Sequence, residues 1–134
     1  MQELAAYAAI FATYVTLNLA WVSLFAMELY RRELSALLVD KPRAPVAGLF
    51  YLLHAAGVLI LAVQPALATG DWTRAALSGA LFGLCTYGTY DLTNAATLRR
   101  WPGNLVVIDL VCGVVLTALA ATAGFVAGQA VGAA

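Results

Sequence analysis

Five polar side chains stand in stretches of the chain that are otherwise apolar: Asn18, His54, Asp91, Asn94 and Asp109. Around Asp91 the string Tyr87-Gly88-Thr89-Tyr90-Asp91-Leu92-Thr93-Asn94 places Tyr87, Asp91 and Asn94 at i, i+4 and i+7, on one face of a helix, with Tyr90 widening the polar arc. A carboxyl, an imidazole and phenols in one layer could act as interhelical hydrogen-bond glue or hold a polar ligand, a lipid head group or a proton. One His and two carboxylates on three helices also form a conceivable ligand set, but no HxxxH or ExxH spacing supports a metal. With a single His a bis-His haem is excluded, and the only Lys, Lys41, falls in a loop, against a retinal Schiff base. No metal, cofactor or catalytic residue is expected.

The elements that carry these residues follow from composition. Of 134 residues, 63% are hydrophobic and 10% charged, and formal net charge is zero; mean hydropathy is +0.88. Soluble domains have about 25% charged residues. The composition excludes a disordered chain, a basic nucleic-acid-binding domain and an ordinary soluble enzyme, and leaves an integral membrane protein. Apolar runs at roughly 4–27, 46–68, 75–98 and 104–128 are each long enough for a helix to cross about 30 Å of hydrocarbon. They lack the period-2 alternation of a barrel. The expected fold is therefore all-α, a single-domain four-helix membrane bundle over 1–134.

Pro42, Pro45, Thr69-Gly70-Asp71 and Pro102-Gly103-Asn104 punctuate the runs. Gln64-Pro65 predicts a kink or early exit in the second. Met1-Gln2-Glu3 lacks the basic start of a secretory signal, so the first run reads as an uncleaved span. Cys85 and Cys112 lie in apolar runs without CxxC spacing and read as free thiols.

Arg31, Arg32, Lys41, Arg43, Arg99 and Arg100 fall on one side of this topology and only Arg74 on the other. The positive-inside rule then puts both termini outside the cytoplasm. At about 1.5 Å per residue, Asn18, His54, Asp91 and Asp109 lie about 13, 12, 10 and 7 Å from the cytoplasmic ends of their helices. Asp91–His54 is the first expected pair and Asp109–Asn18 the second. An Asp at a helix centre costs about 2.5–3.5 kcal/mol on insertion, against about −0.5 for a Leu or Phe, so Asp91 should face the bundle or a wet cavity.

Tyr30, Leu34, Leu37 and Leu38 recur at helical spacing in 28–45, with Arg31 and Arg32 on other faces. This predicts an amphipathic cytoplasmic extension of the first helix at the membrane interface, either an anchor or a docking surface for anionic lipid or a partner. Trp72 and Trp101 sit at expected membrane edges. Gly79 and Gly83, and Gly113, Gly124 and Gly128, mark small-residue faces for close helix packing, within the bundle or in a homodimer.

The Tyr87–Asn94 string, with Phe50-Tyr51-Leu52-Leu53, Pro65-Ala66-Leu67, Trp101-Pro102, Tyr30-Arg31-Arg32 and Asp109, resembles the bacterial membrane family labelled domain of unknown function 2177 over nearly the whole chain. The resemblance implies a multi-pass bacterial inner-membrane protein with four spans and brings no established activity. The family often carries Asp where this chain has Asn18 and Trp where it has Cys112. An Asn at 18 weakens a proton-relay or metal reading and leaves a hydrogen-bonding one intact.

Three functions compete. The leading expectation is a non-enzymatic accessory or assembly subunit of a larger membrane complex, which needs Asp91 sealed. The alternative is a small transporter or lipid/apolar-ligand binding protein, as a homodimer where a full pathway is needed, with a cavity reaching Asp91 and His54. The third is a membrane-embedded lipid-modifying enzyme, which lacks any nucleophile–base spacing. The lipid bilayer is the expected partner, with a membrane protein or second copy possible and nucleic acid excluded.

Overall fold

The computed structural model describes all residues, 1–134. It contains four long helices and no strands: α1 (Gln2–Leu34), α2 (Ala44–Thr69), α3 (Trp72–Thr97) and α4 (Gly103–Gly132). α1, α2 and α4 are each long and apolar enough to cross a membrane. α3 has the length, 26 residues, but its composition is diluted by the polar string around Asp91. Its threonines partly hide that polarity. Thr86, Thr89, Thr93 and Thr97 each donate to a carbonyl three or four residues back on the same helix. A hydroxyl satisfied this way needs no partner from the bilayer.

α4 is the central helix. Its buried residues, among them Leu105, Asp109, Cys112, Leu116, Ala120 and Gly124, recur every three or four positions. α3 packs along it on one side and α1 on the other. The glycines decide how closely. A Cβ on Gly79 would come within 2.6 Å of the Ala121 Cβ, and one on Gly83 would run into the backbone carbonyl of Gly113. A Cβ on Gly113 would strike the Tyr87 ring, while one on Gly124 or Gly128 would meet Ile10, Ala6 or Leu67. All five glycines are therefore spent on contacts inside this chain. In lipid, where apolar side chains gain little by leaving the solvent, such close backbone approach is what holds helices together.

α2 closes the bundle unevenly. Its Leu59–Thr69 half packs against α3 and α4, whereas its Ala44–Val58 half leans on α1 and draws away from α3. A π-turn over Leu59–Val63 separates the halves. It immediately precedes Pro65, whose missing N–H and ring would otherwise break the α-helical ladder. The helix is thus bulged and continues to Thr69, rather than exiting at Gln64-Pro65. Gln64 clips this end to α1 by donating to Glu3 at 2.7 Å.

α1 carries a second π-turn, Val22–Ala26. Twelve residues along an ideal helix rotate a side chain to about 120° from its starting face, and eleven return it to within about 20°. The π-turn absorbs one residue and so brings Tyr30 round to the face of Asn18. The amphipathic extension is helical only to Leu34, not to 45. A turn at Ser35–Leu37 follows, because the chain must reverse into α2 within a few residues. Leu34 is buried, while Leu37 and Leu38 are exposed.

α2 ends on Gly70 in the left-handed conformation (φ 67°), with the Asp71 N–H returning to the Ala66 carbonyl at 3.2 Å. Asp71 then caps α3, accepting from the Thr73 N–H at 2.9 Å and from its hydroxyl at 2.6 Å. Those bonds hold the Asp71 carboxyl below the usual aspartate range. With the folded value depressed, the cap contributes fully above the unfolded aspartate value and is lost as pH falls through the lower folded one. Thermal melts of Asp71→Asn are expected to flatten the acid limb of the stability–pH curve; an unchanged acid limb would disprove the capping role.

Candidate functional site

The polar residues of the four helices gather into two groups. The first is a chain of hydrogen bonds across α1, α2 and α3. The Tyr51 hydroxyl donates to Asn18 Oδ1 at 2.8 Å, Asn18 Nδ2 donates to the Tyr87 hydroxyl at 3.1 Å, and Tyr87 shares a 2.5 Å bond with Tyr14. Tyr14 is fully buried and stacks on the His54 ring at a centroid distance of 4.2 Å. Phe50 and Phe82 complete an aromatic sleeve around His54. Its Nε2 meets the Thr117 hydroxyl at 3.2 Å, and its Nδ1 has no partner.

The second group is acidic. Asp91 on α3 and Asp109 on α4 are both buried, at 0% and 3% exposure, and their carboxyls are neighbours. The Tyr30 hydroxyl, carried to this face by the π-turn, meets both Asp109 oxygens, at 2.9 and 3.1 Å. No side-chain or backbone donor reaches either Asp91 oxygen at hydrogen-bond geometry. Its nearest polar neighbours are Asp109 and the Trp101 indole, whose N–H is also unpartnered.

The expected pairs are therefore not formed. His54 goes to Thr117 and Tyr14, not to Asp91. Asn18 goes to Tyr51 and Tyr87, not to Asp109. Asp91 and Asp109 face each other instead, because α3 and α4 are the most closely packed helices and their glycines let the backbones approach. Asn94 lies half-buried one turn beyond Asp91 and belongs to neither group. Arg31 and Arg32 stay exposed beside Tyr30. Tyr14, Tyr51, Phe50, Thr117 and Trp101 were not singled out as parts of the site from sequence. Tyr14 lies one turn from Asn18 and Tyr51 one turn from His54, a spacing that could have drawn attention to both. Nothing local marks Thr117.

Where α2 draws away from α3, a cavity of about 340 Å³ opens on the side of the bundle. It is lined by Tyr30, Phe50, Thr86, Tyr87, Tyr90 and Asp109, so every helix contributes. Phe50 and Tyr90 stand at its mouth, 43% and 56% exposed. The Tyr90 ring is braced edge-on by Trp101 at 5.6 Å. The cavity reaches Asp109 but stops short of the sealed Asp91 and His54. A 430 Å³ cleft between α1 and α4, lined by Trp21, Val107, Val111 and Val115 among others, is wholly apolar.

Helices that turn their carboxyls and imidazole inward and present Leu24, Leu53, Leu77, Val111 and Leu119 outward define a helical integral membrane protein. In such a protein the polar groups find partners within the bundle. The chain belongs to the family described as "Predicted membrane protein (DUF2177)", whose sequence model matches residues 3–126. This confirms the resemblance carried by the Tyr87–Asn94 string. Neither a curated protein nor a solved structure matches the chain.

Proposed function

We propose that this chain is a binding protein for an apolar-tailed ligand, which enters the lateral cavity between α2 and α3 and sets its polar end against Asp109. The observation that carries this reading is the cavity itself. It has the size of a small-molecule pocket (about 300–1,000 Å³) and the usual mix of aromatic walls with a few polar groups. Its mouth lies on the lipid-facing side of membrane-spanning helices. Residence in a bacterial inner membrane, with both termini outside the cytoplasm, fits the arginines gathered beyond Tyr30 and Tyr90.

The test is native mass spectrometry of the purified chain released from mild detergent. Wild type is expected to carry lipid, and Thr86→Phe, which fills the cavity, to lose it while keeping helical content. Phe50→Trp, which narrows the mouth, provides a second variant. Equal lipid retention in wild type and both variants would refute the cavity as the binding site.

A second reading is an accessory or assembly subunit of a larger membrane complex. It draws on the complete burial of Asp91 and on the outward face of α2, where Leu49, Leu52 and Leu53 have no partner from this chain. A stable hetero-complex pulled down at native expression would favour it. A lipid-modifying enzyme has less support, since His54 is enclosed in its aromatic sleeve, away from the cavity.

A further inference from the structure

We infer that the cavity between α2 and α3 selects a phospholipid whose head group ends in an ammonium, with Asp109, backed by the sealed Asp91, and the rings of Tyr30, Tyr87, Tyr90 and Phe50 as its receptor. The inference rests on the proposed binding role of that cavity and names the chemistry it recognises.

Charge is the first argument. Two neighbouring carboxyls in a low-dielectric layer do not both ionise, and a cation set against Asp109 favours a single negative charge on the pair. Nothing nearby in the chain offsets it. None of the six lining residues is a cation, and the only His is bonded to Thr117. Tyr30 softens the charge by hydrogen bonding but does not neutralise it. Ionisable groups inside a membrane are held by a counter-charge, and here that charge must come with the ligand.

The walls are the second argument. Four aromatic residues from three helices line the cavity together with Asp109, its one acidic group. The faces of aromatic rings attract cations, and cages of such rings with a carboxylate are a recurrent receptor for ammonium groups. An anionic or neutral head group would gain no cation–π attraction from this lining.

The third argument separates a lipid from a free amine. The cavity opens to the side, past Phe50 and Tyr90, onto the apolar surface of α2 and α3. A diacyl tail can lie there while the head enters. Arg31 and Arg32 follow Tyr30 directly in the chain and are exposed.

The experiment uses the purified full chain in mild detergent, incubated in turn with phosphatidylethanolamine, phosphatidylglycerol and diacylglycerol of the same acyl chains, with bound lipid read by native mass spectrometry. Wild type is expected to retain phosphatidylethanolamine about tenfold better than phosphatidylglycerol. The double variant Asp91→Asn/Asp109→Asn keeps volume and hydrogen bonding but removes the charge, and should abolish the preference. Tyr90→Leu, at an exposed ring with no hydrogen bond of its own to lose, should lower phosphatidylethanolamine retention about threefold and leave phosphatidylglycerol unchanged; it carries the test if the double variant does not fold. Equal retention of the two phospholipids by wild type, or a preference that survives either variant, overturns the inference. Diacylglycerol held by wild type and expelled by Thr86→Phe, with no head-group preference, leaves the cavity reading standing and the ammonium inference refuted. Retention of none of the three refutes both.

Discussion

Gly83→Leu is expected to lower the stability of the bundle by more than about 3 kcal/mol, enough to leave little folded chain in detergent. Overpacking a close-packed interior costs about 1–3 kcal/mol when side chains can shift to make room. At position 83 they cannot. The new Cβ would run into the carbonyl group of Gly113 and lie 2.8 Å from the Thr117 hydroxyl. Most of that obstacle is backbone, so α3 and α4 would have to separate along their tightest seam, which also carries Asp91 and Asp109. Gly48→Leu is the matched control, since nothing lies within 4 Å of a Cβ there. Its effect should stay within about 0.5 kcal/mol. Unfolding in sodium dodecyl sulfate, followed by helical circular dichroism, measures both. Similar midpoints for the two variants would show that α3 and α4 do not pack through Gly83.

Asp109→Leu should cost about 3 kcal/mol, while Asp91→Asn should be neutral or stabilising. Leu at 109 removes the acceptor of the Tyr30 hydroxyl and strands the Asp91 carboxyl in a buried layer with no donor. A single interhelical hydrogen bond in a membrane is worth only about 0.6–1.7 kcal/mol. Losing Asp109 costs more, because the Tyr30 hydroxyl and the Asp91 carboxyl both lose their polar neighbour in a buried layer. Asn at 91 works in the opposite direction: its amide can donate to Asp109 and keep a hydrogen between the two side chains without a second ionisable carboxyl in the buried layer. The same detergent unfolding assay reads the contrast. Asp91→Asn as damaging as Asp109→Leu would mean that the pair needs its acidic proton for more than packing.

Much of the architecture was legible in the chain. Four apolar runs of helical length, separated by Pro and Gly, can satisfy their backbones in lipid only as helices, and that requirement is local. The small-residue faces were legible for the same reason: Gly113, Gly124 and Gly128 recur at helical spacing whatever they touch. The Tyr87–Asn94 string identified the family, because its order of residues is specific.

The partnerships were not legible. His54 was the obvious counter-charge for Asp91, being the only titratable cation expected at that depth. Depth along a helix says nothing about rotation around it, and in the folded bundle His54 turns toward Tyr14 and Thr117. Tyr30 was placed on an interfacial face by its spacing with Leu34. The π-turn at Val22–Ala26, which sequence periodicity does not report, rotates it onto Asp109 instead. The cavity was equally invisible, since it exists only because the first half of α2 leans on α1 rather than α3.

The sequence by itself determined that the chain lies in a membrane, where its helices run and which family it belongs to, because hydropathy, helix breakers and residue order act locally. Only the tertiary structure decided that Asp91 meets Asp109, that Tyr87 and Tyr14 join Asn18 to His54, and that a pocket opens at Phe50 and Tyr90. These depend on how four helices rotate and lean against one another, and that is set by contacts between residues as far apart as Tyr30 and Asp109.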